Sequence, residues 1–147
     1  MSLSRNLVTI YKGFNKYISQ FYANEGFSEI TANSYQYLIA VYKLNKYETG
    51  ATITGVANRL GVKNSSAVQM INGLLSTGYL VKKENTADKR SSILELSEKG
   101  WKMMRLEEKF SDDFLKRFFG DLTMDEIRVL DNITEKIANK VEESGSV

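Results

Sequence analysis

Six cationic side chains fall within residues 56–90: Arg59, Lys63, Lys82, Lys83, Lys89 and Arg90, against only Glu84 and Asp88. That stretch carries a net +4, whereas residues 1–55 carry +2 and residues 91–147 carry −4. A basic island in an otherwise neutral to acidic chain suits a phosphate-bearing partner, since each cation that meets a phosphate releases a condensed counterion. Catalysis is poorly provided for. The 147 residues include no His and no Cys, which removes the commonest general base, the thiol nucleophile and the commonest metal ligands. The acidic clusters, such as Glu107 with Glu108, Asp112 with Asp113 and Asp125 with Glu126, are adjacent pairs. Such neighbours on helices read as solvated faces or caps. An enzyme working by carboxylate or lysine chemistry would need a deep pocket, and no spacing suggests one. No catalytic residue, metal or cofactor is expected.

The elements that would position the cations follow from periodicity. Thr54 is a good N-cap for a short helix burying Val56, Ala57 and Leu60 and stopping at Gly61. A further helix is predicted from about Asn64 to Thr77, with Ala67, Met70, Ile71 and Leu74 as its buried stripe. Ser65, Ser66, Gln69, Asn72, Gly73 and Ser76 lie off that stripe, and Gly78 closes the helix in the left-handed conformation. A small Ala57 for close approach and a Gly61 for the sharp turn make a helix-turn-helix pattern. Small polar residues let a helix lie deep in a major groove, where Ser, Asn and Gln can hydrogen-bond base edges. Two β-leaning runs, 79–84 and 92–96, flank Asn85-Thr86-Ala87-Asp88-Lys89-Arg90-Ser91 and read as a hairpin. Its tip, Lys89 and Arg90, would reach the adjacent minor groove, where narrowness concentrates negative potential. Lys63, Lys82, Lys83 and Lys89 are placed to neutralise phosphates.

Around this segment the chain is helical. Leu7, Phe14 and Phe21 recur every seven residues, with Ile10 and Tyr17 three after the first two, and Tyr11 and Ile18 widening the seam. That stripe wants a partner surface, and residues 24–26 end the helix. Thr31 caps a second helix carrying Tyr35, Leu38, Ile39 and Tyr42, which fades over 45–50 into an extended stretch at 51–53. Ser97 is predicted to cap one long helix through Trp101, Met104, Phe114, Leu115 and Phe118 to near Gly120. Thr123-Met124-Asp125-Glu126 is a capping box opening a last helix with Ile127, Leu130, Ile133, Ile137 and Val141. Residues 142–147 are expected to fray. No apolar run reaches the length of a membrane span, and the start lacks an apolar signal core, so a cytoplasmic location without a membrane partner is expected.

Three stretches together resemble the MarR-type (multiple antibiotic resistance regulator) transcription factors. The first runs from Ile53-Thr54-Gly55-Val56-Ala57-Asn58-Arg59-Leu60-Gly61 to Leu74-Leu75-Ser76-Thr77-Gly78-Tyr79-Leu80. The others are Asp88-Lys89-Arg90-Ser91 and Leu94-Glu95-Leu96-Ser97-Glu98-Lys99-Gly100. Helix order and length agree over essentially the whole chain. The resemblance implies a mainly α fold with a small β-hairpin wing: a winged helix-turn-helix lobe at 31–97 and a helical dimerisation region from 1–30 and 98–147. It implies a homodimeric repressor on palindromic double-stranded DNA. It places Arg90 as the minor-groove arginine, Asp88 as the acid that holds the wing in shape, and Ser65, Ser66, Val68 and Gln69 on the recognition surface.

The sequence departs from the family at three of these positions. Gln69 stands where Arg is frequent and suits an adenine edge better than a guanine. Gly73 stands where a basic residue is frequent. Lys63 stands where a Ser or Asp cap is usual, so Asn64 is expected to cap instead. These losses leave a second reading, a winged-helix protein-interaction module without DNA binding. The family also binds small aromatic or phenolic effectors between the dimerisation helices and the winged lobe. Tyr11, Phe14, Tyr17, Tyr37 and Tyr42 are the side chains that would line such a pocket, although each equally suits a core. The absence of Cys argues against the family's peroxide-sensing branch.

Overall fold

Hydroxyl side chains set the starts of five helices by accepting a backbone N–H three residues on, Ser2 doing so from Arg5 at 3.4 Å. Thr31 accepts from Ser34 at 3.1 Å, Thr52 from Gly55 at 3.0 Å, Ser97 from Gly100 at 3.0 Å and Thr123 from Glu126 at 3.1 Å. At Thr31 and Thr123 the exchange is reciprocal, as a capping box requires. The computed structural model, which describes residues 2–145, contains seven helices and one hairpin. They are α1 (Leu3–Asn24), α2 (Ala32–Tyr47), α3 (Ile53–Leu60), α4 (Asn64–Ser76), β1 (Leu80–Glu84), β2 (Ser92–Leu96), α5 (Glu98–Met104), α6 (Glu107–Phe119) and α7 (Met124–Glu143). They fall into two compact units, Met1–Arg105 and Leu106–Val147. Among the described residues no helix is long and apolar enough to cross a membrane.

In the first unit α2 is the central element. Its Leu38 and Val41 are fully buried, together with Val56 of α3, Ile71 of α4, Leu80 and Leu94 of the hairpin and Met103 of α5. Each such side chain contributes roughly 1.5–3 kcal/mol by leaving water. β1 and β2 pair antiparallel, from Leu80 opposite Leu96 to Glu84 opposite Ser92. Ala51 adds a bridge to Leu94, so the backbone before α3 forms a third edge of this small sheet. Asn45 secures that edge: its side chain accepts the Ala51 N–H and donates to the Leu94 carbonyl, both at 2.8 Å.

Four boundaries differ from the sequence expectation. The cap of α3 is Thr52, because the Ala51 bridge holds the preceding backbone extended and the chain turns directly after it; Thr54 lies exposed in the first helical turn. The N-cap of α4 is Lys63, whose side chain caps nothing, and Asn64 is already helical. The single long helix after Ser97 is two. Arg105 and Leu106 have ψ of −11° and −1°, against about −42° in a helix. No Gly or Pro marks that break. Finally, α7 runs on through Glu143; of the expected frayed tail, Ser146 and Val147 lie outside the described residues.

The apolar seam of α1 is only half covered. Tyr17, Ile18, Phe21 and Tyr22 are buried, while Leu3, Leu7, Ile10, Tyr11 and Phe14 are exposed. In the second unit neither helix has a buried residue. Leu115 and Phe118 of α6 and Ile127, Ile133, Ile137 and Val141 of α7 are all exposed.

Candidate nucleic-acid interface

The approach of α3 to α4 depends on Gly61, at φ 66° and ψ 34°, a left-handed conformation that disfavours a Cβ. Beyond it, Ala67, Ile71 and Leu74 anchor α4 to the core. The opposite face is open: Asn64, Ser65, Ser66, Val68, Gln69, Asn72 and Gly73 are all exposed. The helix ends at Gly78, φ 85°, with the Tyr79 N–H returning to the Leu74 carbonyl at 2.9 Å. That bond closes the last turn and launches the chain into β1.

The loop between the strands is shaped by its own side chains. Asn85 accepts the N–H groups of Ala87 and Asp88 at 3.1 and 3.3 Å and donates to the Ser91 hydroxyl at 3.0 Å. Asp88 Oδ1 accepts the Arg90 backbone N–H at 3.0 Å and Arg90 Nε at 3.1 Å. Arg90 holds the Asp88 carboxyl below the usual carboxylate range through these bonds. With Nη2 also donating to Asp88 Oδ2 at 3.4 Å, the guanidinium is clasped along one edge, yet the Arg90 side chain is 92% exposed. Exposed pairs of this kind hold weakly, so the arginine is preoriented and still able to change partner.

The lysines divide. Side chains alternate along a strand, so Lys82 and Lys83 project from opposite faces of the hairpin. Lys83 pairs with Glu95 at 2.8 Å. Lys63, Lys82 and Lys89 are exposed and have no ion-pair partner among the described residues. The structure thus brings together an open polar helix face and a hairpin with unpaired cations.

The five aromatic residues expected around an effector do not converge. Tyr37 lines a 490 Å3 groove between α2 and α4, with Glu29, Gln69, Gly73 and Thr77 among its walls. Tyr42 lines a separate 470 Å3 cleft with Asn45, Lys46, Glu95, Leu96 and Trp101. Tyr11, Phe14 and Tyr17 border neither; Tyr17 is buried and the other two are exposed on α1. Sequence reasoning missed Trp101 and Lys46 as cleft residues. Trp101 stands edge-on to Tyr42 at 5.8 Å, and Lys46 donates to the Tyr42 hydroxyl at 2.9 Å. The spacing of Tyr42 and Lys46, one helical turn apart, was the available signal. It also passed over Asn85, whose place three residues before Asp88 marks a side-chain-closed turn.

Comparison with solved structures decides the architecture. The reduced form of MarR from E. coli superimposes with a TM-score of 0.76 at 19% identity, over 93% of this chain and 96% of that one. FabT of Streptococcus pneumoniae, solved in complex with DNA, gives 0.77 at 18% identity over 96% of each chain. The fold is that of the MarR proteins. A mutant E. coli MarR complexed with operator DNA gives 0.67 at 18% identity over 92% of each chain. In this MarR fold α3 and α4 form the helix-turn-helix and β1–β2 the wing. Residues 29–87 also match a family model described as the iron dependent repressor N-terminal DNA binding domain. The iron in that description finds no counterpart among the residues here. The chain lacks His and Cys, and among the described residues no three acidic side chains are grouped to hold a metal ion. No curated protein matches the sequence.

Proposed function

We propose that two copies of this chain pair and bind a palindromic stretch of double-stranded DNA, acting as a transcriptional repressor of the MarR type. The observation that carries this reading is the exposed polar face of α4 beside a wing whose tip presents Arg90 and Lys89. Ser65, Ser66, Val68 and Gln69 would meet base edges, with Gln69 suited to adenine. Lys63, Lys82 and Lys89 would meet phosphates, and Asp88 would keep the wing in shape. The DNA complexes of two proteins of the same fold support the assignment. Pairing is supported by the uncovered apolar rows on α1, α6 and α7, since contiguous exposed apolar surface marks an interface. Residues 1–30 and 98–147 would form that pairing region and 31–97 the reading lobe. Paired lobes would place their α4 helices in successive major grooves roughly 34–36 Å apart.

A mobility-shift assay on the promoter region next to the protein's own gene tests the reading. A retarded band that unlabelled operator removes, and random DNA does not, is the expected result. No retardation there, and no enriched sequence in a genomic DNA pull-down, would favour a winged-helix protein-interaction module instead. Replacing Arg90 with Ala should weaken operator binding by roughly 1–3 kcal/mol if the guanidinium enters the minor groove. Unchanged affinity in an anisotropy titration would remove it from the interface.

We also propose that a small aromatic effector relieves binding from one of the two clefts that hold Tyr37 and Tyr42. Trp101 is the only tryptophan and lines the Tyr42 cleft, so occupancy there should quench its fluorescence and lower DNA affinity in parallel. Aromatic ligands that change DNA affinity without changing that emission would place the site in the Tyr37 groove.

A further inference from the structure

Four parts of the first unit meet at the C-terminal end of α4. Lys99, from the start of α5, donates through Nζ to the Thr77 carbonyl at 2.8 Å. The same ammonium lies 3.7 Å from Glu29 Oε1 and 4.2 Å from the centre of the Tyr79 ring. The Tyr79 hydroxyl donates to the other Glu29 oxygen at 2.7 Å. Ser97 completes the junction: its N–H donates to the Tyr79 carbonyl at 3.0 Å, and its hydroxyl donates to the Gly78 carbonyl. The last turn of α4, the residue that opens the wing, the start of α5 and the segment before α2 are therefore bound to one another through the Lys99 ammonium, the Glu29 carboxylate and Ser97.

This arrangement exceeds what ending a helix requires. Gly78 and the Tyr79 N–H already close α4 without help. The lysine adds a bond from α5 to a carbonyl at the helix end, where a cation also complements the dipole. It is held there by two further partners, a carboxylate and an aromatic face. It hydrogen-bonds the Thr77 carbonyl and lies against Glu29 and the Tyr79 ring, so the ammonium is turned toward the protein although its side chain stays 37% exposed. What it fixes is the direction in which α4 leaves its last turn relative to the root of the wing. Base readout by α4 and insertion of the wing tip must succeed together, and sites of this kind lose specificity when their support is loose by about 1 Å.

We propose that Lys99 is a positioning residue for DNA recognition. Steered by Glu29 and seated on Tyr79, it sets the angle between α4 and the wing and thereby the discrimination between operator and other DNA. The proposal rests on the DNA-binding reading above, and its test keeps the two apart.

The full-length protein and its Lys99→Met, Lys99→Arg and Glu29→Gln variants are titrated with operator and with random duplex at matched salt. Melting temperatures are recorded alongside. Lys99→Met is expected to lower the ratio of operator to random affinity at least tenfold, while affinity for random DNA and the salt slope stay as in the wild type. Lys99→Arg, which keeps the charge and the donors, should restore most of the ratio. Glu29→Gln retains an acceptor for Tyr79 but removes the steering charge, and should cost the ratio several-fold. It gives the decisive reading should Lys99→Met not fold. A parallel loss on both duplexes with a shallower salt slope would make Lys99 an ordinary phosphate contact and overturn the proposal. So would an unchanged ratio in the folded variants of a wild type that does discriminate. A wild type that binds neither duplex would overturn the DNA-binding reading itself, and the proposal with it.

Discussion

Operator affinity is expected to fall about a thousandfold as monovalent salt is raised from about 50 to about 200 mM. The estimate comes from counting the cations left free to neutralise a phosphate and so displace its condensed counterion. Lys83 is already paired with Glu95, and Arg90 is clasped by Asp88. Lys63, Lys82 and Lys89 have no such partner among the described residues. Two copies would present twice those three lysines, and a slope of about −0.9 per phosphate contact gives roughly −5 in log affinity against log salt. Stepped-salt anisotropy with labelled operator measures it. Random duplex should show nearly the same slope at lower affinity, because phosphate contacts carry no sequence information. A slope near zero on operator would contradict the assignment of these lysines and the interface built on them.

The second large effect concerns two glycines that should respond in opposite directions to the same change. Gly100 lies where α5 passes over the root of the wing. A Cβ there would be driven into the Tyr79 carbonyl oxygen and would also meet Leu96 Cδ2 at 3.3 Å. The carbonyl cannot withdraw, since it accepts the Ser97 N–H. Gly100→Ala should therefore destabilise the protein by about 3 kcal/mol, the upper part of the range for overpacking. For a chain of this size that is a loss of roughly 6–12 °C in Tm. Gly73 is the reverse case: it lies within α4, on the exposed face, and a Cβ there meets nothing within 4 Å. Gly73→Ala should add roughly 1 kcal/mol, the helix-propensity difference between the two residues. Denaturant titration of both variants settles the matter, and equal shifts of the same sign would refute the packing argument.

These contrasts show which features were legible in the sequence. The helix-turn-helix, the hairpin and the caps at Thr31, Ser97 and Thr123 are local, each fixed by residues within a few positions of one another. The cap of α3 was not, because Thr52 and Thr54 are equivalent locally. The choice between them is made by Ala51 pairing with Leu94, 43 positions away. The role of Asn45 depends on the same long-range contact. The break at Arg105 and Leu106 has no residue type to announce it. Tyr37 and Tyr42, five residues apart on α2, face roughly 140° apart by helix geometry alone, and which cleft each borders is then set by the elements packed around them. Lys82 and Lys83 looked alike as neighbours, but strand alternation and Glu95 distinguish them.

The clasp between Asp88 and Arg90 has a consequence for encounters with the wrong polyanion. An arginine held out bare would adhere to RNA, to membrane headgroups or to any acidic protein that drifted past. Here the tip brings its own carboxylate, and a newcomer must outbid it. One stray phosphate offers little more than the aspartate already does. A narrow groove flanked by two phosphate rows would offer more than this weak, exposed contact, so exchange of partner is expected to favour that shape over isolated phosphates.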